Sequence, residues 1–154
     1  MNQKLRCIIV DDEPLALELL SDYVQKLPDL ELVCSTTKVL DALSFIQQNK
    51  ADLVLLDIQM PDLSGIQFLK LIQGKCKAIL TTAYAQYALE GYEYDVIDYL
   101  IKPIGFERFV KAIQKAQRYF FDKTEEATTN LIEQIPIQEL PDFIFVKVEH
   151  KIKK

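Results

Sequence analysis

Five short runs of apolar residues constrain the fold more than any other feature of this sequence. They are rich in Leu, Ile and Val and lack the strict polar alternation of a half-exposed strand, which is typical of strands buried on both faces. The runs are LRCIIV (5–10), LELVCS (30–35), DLVLLD (52–57), KAILTT (77–82) and VIDYLI (96–101). The intervals between them leave room for one helix after each strand.

The segments between these runs carry apolar residues at every third or fourth position, the period of a helix with one buried face. The stripes are Leu15, Leu19, Tyr23 and Leu27; Val39, Leu43 and Ile46; Ile66, Leu69 and Ile72; a weaker Tyr84, Tyr87 and Ala88; and Phe106, Phe109, Val110, Ile113 and Phe120. Alternating strands and helices joined by right-handed crossovers predict an α/β fold. We expect a doubly wound, five-stranded parallel sheet of flavodoxin-like order 2-1-3-4-5, with helices on both faces.

Composition changes after Phe121. Residues 122–140 are polar and lack a stripe, which predicts a linker. The following DFIFVKVEHK alternates apolar and polar residues, as a half-exposed antiparallel strand does, and one such strand cannot form a domain. We therefore interpret residues 1–121 as one domain, 122–140 as a linker and 141–154 as the truncated first strand of another domain.

Net charge and cysteine content limit the possible binding partners and the cellular compartment. The formal net charge of −5 would repel nucleic-acid phosphates, so we do not expect residues 1–121 to bind DNA themselves. The three cysteines are an odd number at wide spacing, which indicates a reducing compartment. No stretch has the length of a membrane span or the pattern of a leader. We expect a cytoplasmic protein with no membrane partner.

Acidic residues close two of the predicted strands. Asp11 and Asp12 follow the first strand in IIVDDEP, and Asp57 ends the third in LLDIQMPDLSG. Ligands of open parallel sheets bind at the carboxyl ends of strands, and in this order strands one and three are neighbours about 5 Å apart. Each close carboxylate pair would repel by about 3 kcal/mol at an effective dielectric constant of about 20. Such a cluster needs a cation, and oxygen ligands with open positions favour Mg²⁺.

The fourth and fifth strands end with a hydroxyl and an amine. Thr82 closes KAILTT, and Lys102 follows the last strand in DYLIKP. Carboxylates, a metal, a hydroxyl and a lysine are suited to phosphoryl transfer, which depends mainly on positioning and charge neutralisation. We expect Asp57 to be the nucleophile, with Thr82 and Lys102 beside it.

Each of these pieces also has an ordinary structural explanation. Asp57 is a possible turn or helix cap, and residues 11–14 are a good helix start with an acidic first turn. Thr82 is compatible with strand packing, and Lys102-Pro103 with a turn into the last helix. Their conjunction at the ends of four strands favours the functional interpretation.

VDDEP, LLDIQMPDLSG, TTA and DYLIKP, in this order and at these intervals, resemble the receiver domain of two-component response regulators over about residues 4–121. The resemblance implies a signalling domain, not an enzyme, that a histidine kinase phosphorylates on Asp57. It implies that Asp12, Asp57 and the main-chain carbonyl of Gln59 bind Mg²⁺, and that Asp11 acts through water.

The resemblance also implies roles for residues near the last two strands. Lys102 would contact the phosphoryl oxygens, and its bond to Pro103 would be cis. Thr82 and Tyr99 would form a switch pair, in which the hydroxyl moves toward the phosphate and the ring follows inward. Gln59 stands at a position that varies in the family and makes the phosphate lifetime unpredictable.

A narrower resemblance concerns residues 81–103, which are similar to receivers of LytTR-type (LytR/AlgR-like) regulators. DFIFVKVEHKIKK is similar to the opening strand of their DNA-binding domain. This implies transcription regulation, with DNA bound only through an output domain missing from this chain.

Five of the seven tyrosines lie between Tyr84 and Tyr99. They either pack along a half-buried helix or form a partner surface. A homodimer through this region is the functional hypothesis.

The alternative function is a Mg-dependent aspartyl-phosphate phosphatase or hydrolase. Such enzymes commonly carry a second acid two residues after the nucleophile, where this chain has Gln59. The only histidine, His150, lies in the tail, which argues against histidine acid–base catalysis. The four glycines form neither a dinucleotide-binding nor a P-loop motif, which argues against a nucleotide-binding module.

Overall fold

A computed structural model describes residues 3–72, 74–87 and 96–121. Residues 1–116 form one compact unit, and residues 117–154 are assigned to a second, of which only 117–121 are described. The elements are β1 (Leu5–Val10), α1 (Pro14–Gln25), β2 (Leu30–Thr36), α2 (Val39–Gln47), β3 (Leu53–Asp57), α3 (Gly65–Ile72), β4 (Lys77–Thr82), a 3-10 turn (Ala85–Tyr87), β5 (Asp98–Ile101) and α4 (Phe106–Phe121). The expected linker at 122–140, the expected strand at 141–154, and Tyr92 and Tyr94 lie outside the described residues.

The five strands form one parallel sheet in the order β2-β1-β3-β4-β5, so the predicted fold is confirmed. The winding direction reverses between β1 and β3, whose carboxyl ends lie side by side. Val10 pairs with Leu56, and Thr82 pairs with Ile101. The register therefore brings the ends of β1, β3, β4 and β5 to the same edge of the sheet.

The central strands are almost fully buried because both of their faces are covered. On one face, the residues of β1, β3 and β4 pack in a single cluster with α2 and α3; its members include Ile8, Val10, Ile46, Val54, Leu56, Phe68, Ile72 and Leu80. Alternation along the strands points Cys7, Ile9 and Leu55 to the opposite face, where each is also fully buried. The continuous apolar runs in the sequence reflect this two-sided burial.

The buried face of α1 differs from the predicted stripe. Leu15 is 77% exposed and Leu19 is 40% exposed, whereas the buried residues of this helix are Leu20 and Val24. The helix has leucines on several sides, so spacing alone gave the wrong face. No helix in the described ranges is long and apolar enough to cross a membrane.

An ion pair joins the amino end of β1 to the segment that precedes β3. The Arg6 guanidinium on β1 donates to both carboxylate oxygens of Asp52 at 3.0 and 3.1 Å, and also to the main-chain oxygen of Asn49. Burial alone would raise the pKa of Asp52, but the hydrogen bonds from Arg6 outweigh it and lower that pKa.

A second ion pair joins β5 to α4. Asp98 is 2% exposed and accepts two hydrogen bonds from Arg108 at 2.8 and 2.9 Å, while Lys115 lies 3.3 Å away. Arg108 also donates to the main-chain oxygen of Tyr99. Burial opposes ionisation of Asp98, but these partners together lower its pKa.

Candidate functional site

Three aspartates meet at the carboxyl ends of β1 and β3. One carboxylate oxygen from each of Asp11, Asp12 and Asp57 lies within 4.8 Å of the others. Asp11 and Asp57 are buried, whereas Asp12 is exposed at the mouth of the pocket. The topology thus withdraws two carboxylates from water beside a third that remains accessible.

Short turns orient the two buried carboxylates. The main-chain N–H of Glu13 donates to Asp11 Oδ1 at 2.9 Å, and that of Gln59 donates to Asp57 Oδ1 at 3.1 Å. Helix α1 begins at Pro14, as the helix-start interpretation of residues 11–14 expects. The acidic residues precede the helix: the first turn of α1 contains none of them, and the N-cap residue Glu13 makes no capping hydrogen bond with its side chain. The helix start is therefore confirmed, but the expected acidic first turn is wrong, and the run supplies the pocket instead.

Lys102 extends from the end of β5 into the same pocket. Its ammonium lies 2.9 Å from Asp11 Oδ2, 3.7 Å from Asp57 Oδ2 and 4.0 Å from Glu13 Oε1. Burial alone would lower the pKa of Lys102, but the hydrogen bond and attraction from the carboxylates raise it. Lys102 is therefore charged, and its single ammonium lies within 4.0 Å of two aspartates and one glutamate, so carboxylates outnumber the cation.

The loop that carries Lys102 is tied to the neighbouring elements. The Lys102 N–H donates to the main-chain oxygen of Thr82 at 2.7 Å, and the Lys102–Pro103 peptide bond is cis. Two residues further on, the main-chain oxygen of Ile104 accepts a hydrogen bond from the Tyr23 hydroxyl at 2.8 Å. These contacts fix the direction in which the lysine leaves the sheet.

The pocket opposes ionisation of Asp57. Burial and repulsion from Asp11 raise its pKa to about 7, although Lys102 and the Gln59 N–H favour the ionised form. A further cation would relieve this cost. The ligand atoms available are carboxylate oxygens, and an exposed groove of about 670 Å³ lined in part by Asp12, Gln59 and Ser64 adjoins them. Oxygen ligands beside an open, water-accessible groove fit Mg²⁺.

The two residues that the sequence predicts as a switch pair, Thr82 and Tyr99, lie in the neighbouring strands β4 and β5. The Thr82 hydroxyl is buried, accepts a hydrogen bond from the Tyr84 N–H at 3.1 Å and donates to the Tyr84 main-chain oxygen at 3.3 Å. Tyr99 is half-buried and packs against the core on the face of Leu80. The structure thus joins the three aspartates and Lys102, and holds the Thr82 hydroxyl at the loop after β4.

Gly65 is a site residue that sequence reasoning missed. A Cβ atom there would lie 2.6 Å from the Asp57 main-chain oxygen and 2.8 Å from Ile58 Cα, and the Gly65 N–H donates to the Ile58 oxygen at 2.7 Å. Only glycine lets α3 begin so close to the end of β3. The signal in the sequence was a glycine as the first residue of an apolar helical stripe.

The family profile of the response regulator receiver domain matches residues 7–114 of this chain. This chain belongs to the response regulator receiver family. An uncharacterised response regulatory protein of Vibrio cholerae is 36% identical over 116 residues, which are 74% of this chain and 49% of that protein. The sensory transduction protein LytT of Bacillus anthracis is 36% identical over 117 residues, 74% of this chain and 48% of LytT.

Solved receiver structures agree with the fold. The response regulatory domain of mrkE from Klebsiella pneumoniae is 35% identical, with a TM-score of 0.66 over 72% of this chain and 93% of that domain. This receiver chain spans about half the length of the curated relatives it matches. The predicted receiver resemblance is confirmed, and the LytT relatives are consistent with a LytTR-type receiver.

Proposed function

We propose that this receiver domain accepts a phosphoryl group from a sensor histidine kinase on Asp57 and thereby switches an attached output domain that regulates transcription. The observation that carries the proposal is the meeting of Lys102 with Asp11 and Asp57, at 2.9 and 3.7 Å, beside the exposed Asp12. Family membership supports the kinase as partner.

In this proposal the Asp57 carboxylate attacks phosphorus, the bond from phosphorus to the donor group breaks, and the donor departs with the electron pair. Lys102 neutralises charge on the phosphoryl oxygens. Asp12, Asp57 and the Gln59 main-chain carbonyl would hold Mg²⁺, with Asp11 acting through water. The bound ion would supply further neutralisation of the phosphoryl charge.

The switch would pass through Thr82 and Tyr99. The Thr82 hydroxyl would leave the Tyr84 main chain for the new phosphate, and the half-buried Tyr99 ring would follow inward. The added charge would thus bias a two-state region that a partner recognises. A homodimer through residues 84–99 is one such output, and light scattering with and without phosphorylation tests it. An unchanged monomer at high protein concentration would contradict it.

The remaining proposals concern location and the rest of the protein. We propose residues 122–140 as a linker and 141–154 as the first strand of a LytTR-type DNA-binding domain, which would make the DNA contacts. The greater length of the LytT relatives supports this division. A cytoplasmic location is supported by the three free cysteines, Cys7, Cys34 and Cys76.

Mass spectrometry after incubation with acetyl phosphate and Mg²⁺ tests the central proposal. We expect the native chain to gain one phosphate and Asp57→Asn to gain none. Asp62→Asn is the matched control, because Asp62 is an exposed aspartate in the same β3–α3 loop and should leave the gain unchanged. Equal phosphorylation of Asp57→Asn would contradict the proposal, and steady substrate turnover would favour the phosphatase or hydrolase alternative.

A further inference from the structure

The side chain of Tyr23 on α1 is bonded to the loop that carries Lys102. The Tyr23 hydroxyl donates to the main-chain oxygen of Ile104 at 2.8 Å, although the two residues are 81 positions apart in the chain. Ile104 follows Lys102 by two positions, and its side chain is buried. The hydrogen bond therefore joins helix α1 to the loop between β5 and α4, which consists of residues 102–105.

Two aromatic contacts hold the ring of Tyr23 independently of its hydroxyl. The ring centroid lies 5.1 Å from that of Phe106, in an edge contact, and 5.3 Å from that of Phe109. Phe109 is fully buried, and both phenylalanines lie among the first four residues of α4. Aromatic pairs at these distances attract each other beyond their buried area. Tyr23→Phe can therefore remove the hydrogen bond and keep the packing.

The 102–105 loop is held at both of its ends. The Lys102 N–H donates to the main-chain oxygen of Thr82 at 2.7 Å, and the Gly105 oxygen accepts the Phe109 N–H at 3.0 Å where α4 begins. Between these two points, the Tyr23 hydroxyl holds the main chain from the side of α1. A functional side chain keeps its direction only when the residues around it support its backbone.

The position of Lys102 determines which charges its ammonium can neutralise. Nζ lies 2.9 Å from Asp11 Oδ2 and 3.7 Å from Asp57 Oδ2, so a shift of about 1 Å would change both contacts. Phosphoryl transfer depends mainly on positioning, and a misplacement of about 1 Å can slow a reaction about 100-fold. Because the lysine side chain is itself flexible, its position depends on the main chain that carries it.

We propose that Tyr23 is a positioning residue for Lys102, and that its hydroxyl holds the loop at Ile104 and so keeps the ammonium beside Asp57 for phosphoryl transfer. This inference rests on the proposed function. Tyr23 acts through the loop and not on the phosphoryl group. A purely structural role would instead stabilise the fold without depending on Lys102.

A rate measurement in two backgrounds separates these roles. Tyr23→Phe should slow phosphorylation of the 154-residue chain by acetyl phosphate and Mg²⁺ about three- to tenfold, as followed by intact mass. In a Lys102→Gln background, Tyr23→Phe should change the rate less than about twofold, because no lysine remains to be positioned. Ser21→Ala is the matched control. It removes another hydroxyl hydrogen bond of α1, the one with Ser35, and should leave the rate unchanged.

Chemical labelling tests the position of Lys102 without phosphorylation. Reductive methylation modifies accessible amines, and peptide masses give the rate at each lysine. The Lys102 side chain is 20% exposed and is held by Asp11, whereas Lys38 is exposed and serves as the internal reference. Tyr23→Phe should raise the labelling rate of Lys102 about threefold relative to Lys38, because the loop opens more often. Ser21→Ala should leave this ratio unchanged.

The outcomes decide between the two roles. Slower phosphorylation that depends on Lys102, together with faster labelling of Lys102, supports the inference. A native rate in Tyr23→Phe, equal slowing in both backgrounds or unchanged labelling overturns it. If Lys102→Gln reacts too slowly for comparison, the labelling decides. If the native chain gains no phosphate on Asp57, the proposed function fails, and the labelling still shows whether Tyr23 holds the loop.

Discussion

Aspartates at the two ends of this sheet meet different partners. At the amino ends of the strands, Asp52 and Asp98 each face an arginine that donates to both carboxylate oxygens. At the carboxyl ends, Asp11 and Asp57 share the single ammonium of Lys102 with the exposed Asp12 nearby. Charge is balanced at the first end and unbalanced at the second.

The pKa values of these aspartates shift in opposite directions at the two ends of the sheet. Burial opposes ionisation of Asp52, Asp98 and Asp57, but the arginines outweigh it and lower the pKa of Asp52 and Asp98. Lys102 does not outweigh it at Asp57, whose pKa rises to about 7. The paired carboxylates at the amino ends of the strands stabilise the fold. At the carboxyl ends carboxylates outnumber cations, so that pocket keeps the capacity to bind a cation and to change its charge.

The largest effect should come from removing Asp98. We expect Asp98→Ala to lower the free energy of unfolding by about 3 kcal/mol, because Arg108 and Lys115 lose the buried Asp98 carboxylate and the Tyr99 N–H loses an acceptor. Urea denaturation at neutral pH measures it. Asp22→Ala, in an exposed pair on α1, is the control and should cost less than about 0.5 kcal/mol. If both variants lose the same free energy of unfolding, the buried ion pair stabilises the fold no more than the surface pair does.

Asp57→Asn should have the opposite sign. In metal-free buffer we expect it to raise the free energy of unfolding by about 2 kcal/mol at pH 8, since burial and Asp11 disfavour the charge. Solvent at the mouth of the pocket and the lost attraction to Lys102 keep the gain below the full pKa shift.

The pH dependence gives the sign of this effect independently. The unfolded chain ionises Asp57 near 3.8 and the folded chain near 7, so the folded state holds the extra proton between these values. Native stability should therefore fall, relative to Asp57→Asn, as pH rises from about 4 to about 7, and the difference should be constant above that. If the difference in stability between the native chain and Asp57→Asn does not vary with pH, the folded chain does not raise the pKa of Asp57.

Mg²⁺ should stabilise the folded chain by a smaller amount, by binding the carboxylates at the carboxyl ends of the strands. At a concentration ten times its dissociation constant, we expect a gain of about 1.4 kcal/mol in the free energy of unfolding. The gain should disappear in Asp12→Asn but persist in Asp62→Asn. Sodium chloride at equal ionic strength separates binding from screening. A gain that survives Asp12→Asn would contradict the assignment of the ligands.

The smallest effect should come from Arg6→Lys. Lysine retains the charge but cannot reproduce the fork on Asp52 or the hydrogen bond to Asn49. Because both partners of the ion pair are partly exposed, we expect a loss of about 1 kcal/mol. Thermal unfolding detects this change, and Lys26→Arg, at the exposed residue that directly follows α1, should be neutral. An unchanged melting temperature in Arg6→Lys would mean that charge alone is sufficient.

The sheet was predictable because strands buried on both faces leave continuous apolar runs. The predicted β1 and β4 match residues 5–10 and 77–82, and the strand order is the one expected for a flavodoxin-like sheet. The face of α1 was not predictable by counting leucines, since packing against neighbouring elements selects Leu20 and Val24. Spacing identifies a helix more reliably than it identifies the buried side.

The meeting of Asp11, Asp57 and Lys102 was predictable because each ends or directly follows a strand, and these strands end at the same edge of the sheet. The ion pairs were not, since Arg6 and Asp52 are separated by 46 positions and no local pattern links them. The environment of Thr81 was also not predictable: its buried hydroxyl is without a hydrogen bond in the part of the chain that the structure describes. In the sequence it is one of two adjacent threonines, and only the register shows which neighbour each one faces.

The close approach of Gly65 to the backbone of β3 makes the position of Asp57 sensitive to a residue that offers no functional group. Any side chain at that position must displace either the start of α3 or the peptide that follows Asp57. In a survey of variants, substitutions of Gly65 should therefore impair function as substitutions of the pocket residues do, although Gly65 contributes only the absence of a side chain.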